Sequence, residues 1–302
     1  MELYPIYDEN SPVSSNIWYS LSGVGECPIM RVGHTVVHLK ETCSNDESKY
    51  NKGKLYFIGG ANPSNCFNDV YFFDLDKMSW DKHEDMENFE SGRYEHACFL
   101  NEKNECVVFG GASEKDSFND VLKFNFEHKT CEKVECASSK NQPSPRTIHV
   151  STSYKNQILI FGGGQNGKTP VDDQKVYIFN CTNKKWLALT VSGNVPTSRH
   201  GHIMINYNEE LIFLHGGMQN EHLFDDLYTL NLKTMNWSEI TSNVETVRPC
   251  SRAAHGGVNI NNNLFIFGGI NAEGNALDDL WKYDIGNLTK FFNKFIFECC
   301  VI

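Results

Sequence analysis

Apolar and polar positions alternate in short runs along this chain, and the runs end at glycines instead of building a helical period. Five apolar runs stop at a glycine pair: Gly59 and Gly60, Gly110 and Gly111, Gly162 and Gly163, Gly216 and Gly217, Gly268 and Gly269. Successive pairs lie 51, 52, 54 and 52 residues apart. Short apolar runs bounded by turn residues predict β-strands, and paired glycines predict a tight turn through φ > 0 after each one.

Other residues keep the same phase. Upstream of each glycine pair stands Arg-x-x-His, at Arg31/His34, Arg93/His96, Arg146/His149, Arg199/His202 and Arg252/His255. Downstream, Asp69, Asp120, Asp226 and Asp279 open a third run; the third repeat offers Asp172 and Asp173 after a longer loop. A fourth run carries Trp80, Trp186 and Trp237, with Cys131 and Lys290 as the equivalents in repeats two and five. The first arginine interval is stretched to 62 residues by a polar insertion from Lys40 to Gly53, which reads as a mobile loop.

Each unit of about 50 residues thus supplies four short strands, the period of a propeller blade. So small a sheet has two faces to bury, and stacking radially on its neighbours covers both. The predicted fold is an all-β propeller of four-stranded blades. Recurring Arg and Asp predict a buried ion pair in every repeat, and the tyrosines and tryptophans of the outer strands are expected to fill the space between blades. Trp18 precedes Arg31 by 13 residues, as Trp80 precedes Arg93, so residues 16–22 read as a closing strand without a blade of its own. The expected layout is an extension over 1–15, a propeller over 16–284 with repeats starting near 31, 93, 146, 199 and 252, and a divergent tail over 285–302. Five repeats plus a closing strand suggest a truncated six-blade ring, as an isoform or an incomplete gene model would give. Two arrangements stay open: the strand completes blade five and displaces the tail, or it awaits strands that this chain does not encode.

Charge narrows the function. With 27 Lys and Arg against 38 Asp and Glu, the net charge of −11 repels phosphate backbones and anionic lipid surfaces. No apolar run approaches the length of a membrane span. Residues 1–10 lack the basic and apolar regions of a secretory signal, so the 11 cysteines are expected to be reduced thiols in the cytosol.

Candidate chemistry is sparse. Catalysis happens once per molecule, whereas His34, His96, His149, His202 and His255 occur once per repeat, so a structural role at the blade base is expected for them. The stretch Gly162 to Thr169 spells a phosphate loop, but Pro170 and the run Val176 to Phe179 leave no helix to follow it, and it reads as a turn. No nucleophile elbow or Cys–His signature is present. Neither a catalytic residue, nor a cofactor, nor a metal set can be named. Cys299 to Ile302 matches a prenylation signal, weighed against a chance chain end. The acidic run Glu84 to Glu90 reads as a solvated loop between blades one and two.

The phased Gly-Gly, Asp, Tyr and Trp positions resemble kelch repeats from about residue 18 to 284. The segments Arg31–Thr35, Gly59–Pro63, Arg93–Ala97, Pro143–Thr147, Phe161–Gln165 and Arg199–His202 resemble the Rab-effector group of kelch proteins. That resemblance implies a non-catalytic cytoplasmic scaffold, peripheral on endosomal membranes, that binds a GTP-loaded late-endosomal Rab GTPase and supports transport from endosomes to the trans-Golgi network. The group carries a sixth Gly-Gly repeat, from which this chain departs. The loops after the second and fourth strands share one face, and the varied loops there nominate Lys115, Asn166, Lys168, Gln219 and His222 as partner contacts. The alternative is a metal-dependent kelch enzyme, an oxidase or a specifier-like lyase, with ligands borne on loops.

Overall fold

A computed structural model describes residues 23–40, 52–84, 86–147, 150–165, 169–241, 248–285 and 292–295. Among these residues the regular elements are strands, gathered into five four-stranded antiparallel blades. Blade one comprises Thr35–Leu39, Lys54–Ile58, Val70–Asp74 and Ser79–Lys82. Blade two follows with Ala97–Leu100, Cys106–Phe109, Val121–Asn125 and Thr130–Lys133. Blade three has Val150–Tyr154, Gln157–Phe161, Val176–Asn180 and Lys185–Leu189. Ile203–Asn206, Leu211–His215, Leu227–Asn231 and Asn236–Glu239 form blade four. Blade five is Gly256–Ile260, Asn263–Phe267, Leu280–Asp284 and Phe292–Phe295. First strands of successive blades touch one another, so the blades fan about a common axis as a β-propeller.

Burial explains the radial stacking. Four apolar clusters fill the four interfaces; the one between blades two and three joins Phe99, Val107 and Phe109 to Ile158, Ile160, Phe179 and Trp186. Between blades three and four, Phe161 and Ile178 meet Ile212, Leu214 and Trp237. The same residues could not be buried by a solitary blade, which makes the stability of each unit depend on its neighbours. The third and fourth strands are joined by turns in which a strand-end carboxylate or amide caps the next amides: Asp74 accepts from Asp76 and Lys77, and Asn231 from Lys233 and Thr234.

The glycine pairs of blades one to four each bond across to the following blade. Gly60 donates its amide to the Arg93 carbonyl at 2.8 Å, and Gly111, Gly163 and Gly217 repeat the bond to Arg146, Arg199 and Arg252. Gly59 has a φ of 60°, and a Cβ there would stand 2.5 Å from the Arg93 carbonyl oxygen. A side chain at this point would force the blades apart.

Three local expectations are revised. The fourth strand of blade five comes from inside the segment read as a tail, and Phe292, not Lys290, stands opposite Tyr283 in the register where Trp80, Trp186 and Trp237 face Phe73, Phe179 and Leu230. The acidic run after blade one is a packed strap: Met86 and Phe89 are buried, Glu87 bridges to Thr130, and Glu84 pairs with Lys129 at 2.5 Å. Repeat histidines His96 and His255 wedge between blades instead of lying at a blade base. His96 Nε2 meets Thr35 Oγ1 of blade one at 2.8 Å, and His255 Nε2 meets His215 Nδ1 of blade four at 3.1 Å. Trp18, most of the insertion after Lys40, His149 and Cys299 lie outside the described residues.

The outward face of blade five differs from the rest. Ile58, Phe109, Phe161 and His215 end their second strands at 0–1% exposure, whereas Phe267 in blade five is 41% exposed. Val258 is 48% exposed against 6–9% for Val37, Phe99, Thr152 and Ile205 at the equivalent point of the first strands.

Candidate interaction face

The loop-bearing end of the ring is held from below by a repeated polar knot. Each repeat arginine is almost fully buried and bonds both the first glycine carbonyl and the aspartate of its own blade. Arg199 reaches Gly216 O at 2.9 Å and Asp226 at 2.6 and 2.9 Å; Arg252 reaches Gly268 O at 3.0 Å and Asp279 at 2.6 and 2.9 Å. Arg93 pairs with Asp120 in the same two-pronged way, and Arg31 pairs with Asp69. In blade three the partner is Asp173, at 3.1 Å, which settles which of the two consecutive aspartates carries the role. An aromatic ring lies under most of these guanidinium groups, Phe67 at 4.0 Å and Phe224 at 3.9 Å being the nearest. The ion pairs expected from the recurrence of Arg and Asp are therefore formed, and a planar, permanently charged fork suits this geometry better than lysine could.

Above the knot, the loop after each second strand folds back as a miniature hairpin. Ala61–Asn62 pairs with Asn65–Cys66, Gly164–Gln165 with Thr169–Pro170, and Met218–Gln219 with His222–Leu223. Single bridges tie these hairpins to the arginine loops, Val32 to Ala61, Tyr94 to Ala112, Thr147 to Gly164, His200 to Met218 and Ala253 to Ile270. Both loop sets thus share one end of the ring. Within the Gly162 to Thr169 stretch, Gly164–Gln165 pairs with Thr169–Pro170, and the next regular element among the described residues is the strand Val176–Asn180.

Lys115 and His222 are exposed at the hairpin tips of blades two and four, and Gln219 is half-buried beside His222. Lys115 sits in a turn whose amides are capped by Ser113 Oγ. Asn166 and Lys168 lie outside the described residues. These tips stand on separate blades, so they form a rim and not a pocket. Their chemistry is mixed: Glu114, Lys115, Asp116, Glu221 and Glu273 are all exposed.

An apolar patch missed by the loop reading lies at the same end. Ile29 is 63% exposed, Met30 90% and Val32 72%. Large apolar groups gathered in water mark contact surfaces. A signal was available in the repeat frame: Ile29 and Met30 stand where the other repeats hold Ser91 and Gly92, Ser144 and Pro145, Thr197 and Ser198, Cys250 and Ser251.

Among the described residues no three His, Cys, Asp or Glu gather closely enough to hold a metal ion. Burial drives the His215 imidazole well below the ordinary histidine range and His255 down to about 3, with nearby arginines adding to the effect. Both are neutral wedges between blades four and five. Glu95, in the arginine loop of blade two, has its carboxyl raised by burial, partly offset by a hydrogen bond from Thr147.

Comparison with known proteins gives these features a family. The KLHDC2/KLHL20/DRC7 kelch-repeats domain matches residues 47–269, and the kelch motif matches residues 251–289. The human Rab9 effector protein with kelch motifs is 35% identical over 230 residues, covering 75% of this chain and 59% of that protein. Its Xenopus laevis counterpart is 35% identical over 233 residues, 76% of this chain and 61% of that protein. Tip elongation aberrant protein 1 of Schizosaccharomyces pombe is 31% identical over 198 residues, which cover 63% of this chain and 17% of that protein. The matches thus span about 60% of the length of the first two relatives. No helix among the described residues is long and apolar enough to cross a membrane. With its phased arginines, glycine pairs and aspartates arranged as propeller blades, the chain belongs to the kelch-repeat family.

Proposed function

We propose that this protein is a non-catalytic scaffold that binds a GTP-loaded late-endosomal Rab GTPase through the loop-bearing end of its propeller, and so supports transport from endosomes to the trans-Golgi network. The observation that carries this reading is the contrast within each repeat. The Arg–Asp knot recurs in all five blades, while the hairpins above it differ in every blade. A rigid frame with unlike loops suits recognition of a folded surface. Similarity to proteins named as Rab9 effectors supports the choice of partner. The apolar group Ile29, Met30 and Val32 supplies the water-shedding centre that such a contact needs, with Lys115, Gln219 and His222 on the polar rim.

The test is capture of the full chain on immobilised Rab9 loaded with a non-hydrolysable GTP analogue or with GDP. The protein is expected to be retained by the GTP form alone, and Met30→Asp to weaken retention at least tenfold while leaving the folded state intact. Equal retention by both nucleotide forms removes the effector reading.

A further inference from the structure

At the end of the ring opposite the loops, blades one and two part to leave a cleft of about 540 Å³. That volume lies within the range of small-molecule sites. Its floor is aromatic. Tyr56 of blade one stacks on Phe126 of blade two with ring centres 4.0 Å apart, and Phe72 stands beside Tyr56 at 5.7 Å. The His83 ring fixes this floor: its Nδ1 lies 3.0 Å from Glu84 O and its Nε2 lies 2.9 Å from Phe126 O, so one side chain holds the backbone of both blades. The shape of the cleft is set by the fold before any ligand arrives.

The walls carry the opposite sign to the molecule as a whole. Lys40 and Lys54 come from blade one and Lys103 from blade two, against a single lining carboxylate, that of Glu127. Lys54 Nζ is 5.2 Å from the centre of the Phe72 ring, which brings a positive charge and an aromatic face to one point of the wall. Charges beyond a Debye length of about 8 Å are largely screened at physiological salt, so these ammonium groups, and not the net charge of −11, set the field inside the cleft. An ammonium acts on a phosphate as a point charge, and the rings beside it suit a flat apolar body.

The propeller frame does not require these residues. Lys54 lies five residues before its glycine pair, where the later blades hold Glu105, Gln157, Leu211 and Asn263. In the register where Phe72 faces Tyr56, the later blades hold Lys123, Ile178, Thr229 and Lys282. Phe126 follows the third strand of blade two, where Leu75, Cys181, Leu232 and Ile285 follow theirs. Cation and rings thus meet where the repeat is broken. We propose that this cleft binds a small anion joined to a flat ring, the chemistry of a nucleotide, with Lys40, Lys54 and Lys103 on the phosphate and Phe72 against the ring. The site is at the far end of the molecule from the loops assigned to the Rab partner, and neither reading depends on the other.

Equilibrium dialysis of the full chain against ADP, adenosine and inorganic pyrophosphate tests it. ADP is expected to bind with a Kd below about 1 mM, and adenosine and pyrophosphate, each carrying half of the chemistry, about tenfold more weakly or worse. Lys54→Gln, which installs the residue that blade three holds at this point, is expected to weaken ADP binding about fivefold or more. Lys103→Gln repeats the test at an exposed turn that the fold does not need, and Lys175→Gln, at the loop-bearing end, should leave ADP binding unchanged. Hydrogen–deuterium exchange with ADP present is expected to slow at residues 102–104 and 125–127. Absence of ADP binding at about 1 mM overturns the proposal, as does affinity indifferent to both Lys54→Gln and Lys103→Gln. Adenosine or pyrophosphate binding as tightly as ADP refutes the assignment of a joined ring and anion.

Discussion

Glu95 occupies a point where three of the other four repeats place little or no side chain, the third repeat holding Ile148. Gly33, Gly201 and Ala254 are its counterparts, and all four backbones are left-handed, with φ of 66°, 66°, 56° and, for Glu95, 54°. A left-handed glutamate is strained, and burial opposes its charge as well. Glu95→Gly is accordingly expected to raise stability by about 1 kcal/mol at neutral pH, read as a higher urea midpoint at constant slope. A lower midpoint would mean that the bond to Thr147 outweighs the strain. The buried pair His215 and His255 gives a pH signature. Both imidazoles are neutral in the fold and would take up protons if the chain unfolded in acid. Their contribution is full above the unfolded histidine value of about 6.5 and is lost as pH falls from there toward 3, at about 1.4 kcal/mol per pH unit for each ring. His215→Phe, which installs the residue found at Phe109, Phe161 and Phe267, should flatten this acid limb, as urea titrations between about pH 4 and 7 would reveal. An unchanged slope would place the acid sensitivity elsewhere.

Within a blade, the stabilising device is the arginine knot, and its worth can be separated from surface charge. Arg199 has a side chain 1% exposed and depends on Asp226 for its counter-charge. Asp226→Ala strands that cation and should cost about 3–5 kcal/mol. Glu84→Ala, at an exposed pair with Lys129, should leave the stability nearly unchanged. Similar losses in both variants would contradict the assignment. The knot was readable in the sequence because Arg, Gly-Gly and Asp meet the same neighbours in every repeat, so spacing stood in for geometry. Blade five shows where that failed. Its outermost strand has no tryptophan, and seven residues separate Asp284 from Phe292 where only four separate Asp74 from Ser79. The strand is identified by pairing with Leu280–Asp284, a contact no local pattern encodes. The strap Met86 to Phe89 was obscured in the same way, its acidic residues masking two apolar anchors.

At the scale of the molecule, repeat counting gave the blades and their common axis, since each interface reproduces the one before it. The two end faces were beyond that reasoning, because they are the places where repetition stops. The candidate contact surface was half legible. Unlike hairpin sequences pointed to the loop-bearing end of the ring, where attention to the tips overlooked Ile29, Met30 and Val32, whose exposure emerges only when blade one is folded. On the proposed reading, the loops bind while the frame that holds them need not move. Hydrogen–deuterium exchange of the complex with GTP-loaded Rab9 measures this directly. The account predicts new protection at residues 29–32, 113–118 and 219–223, with the turns at 102–104, 127–129 and 182–184 at the opposite end unchanged. Protection confined to those opposite turns would contradict it.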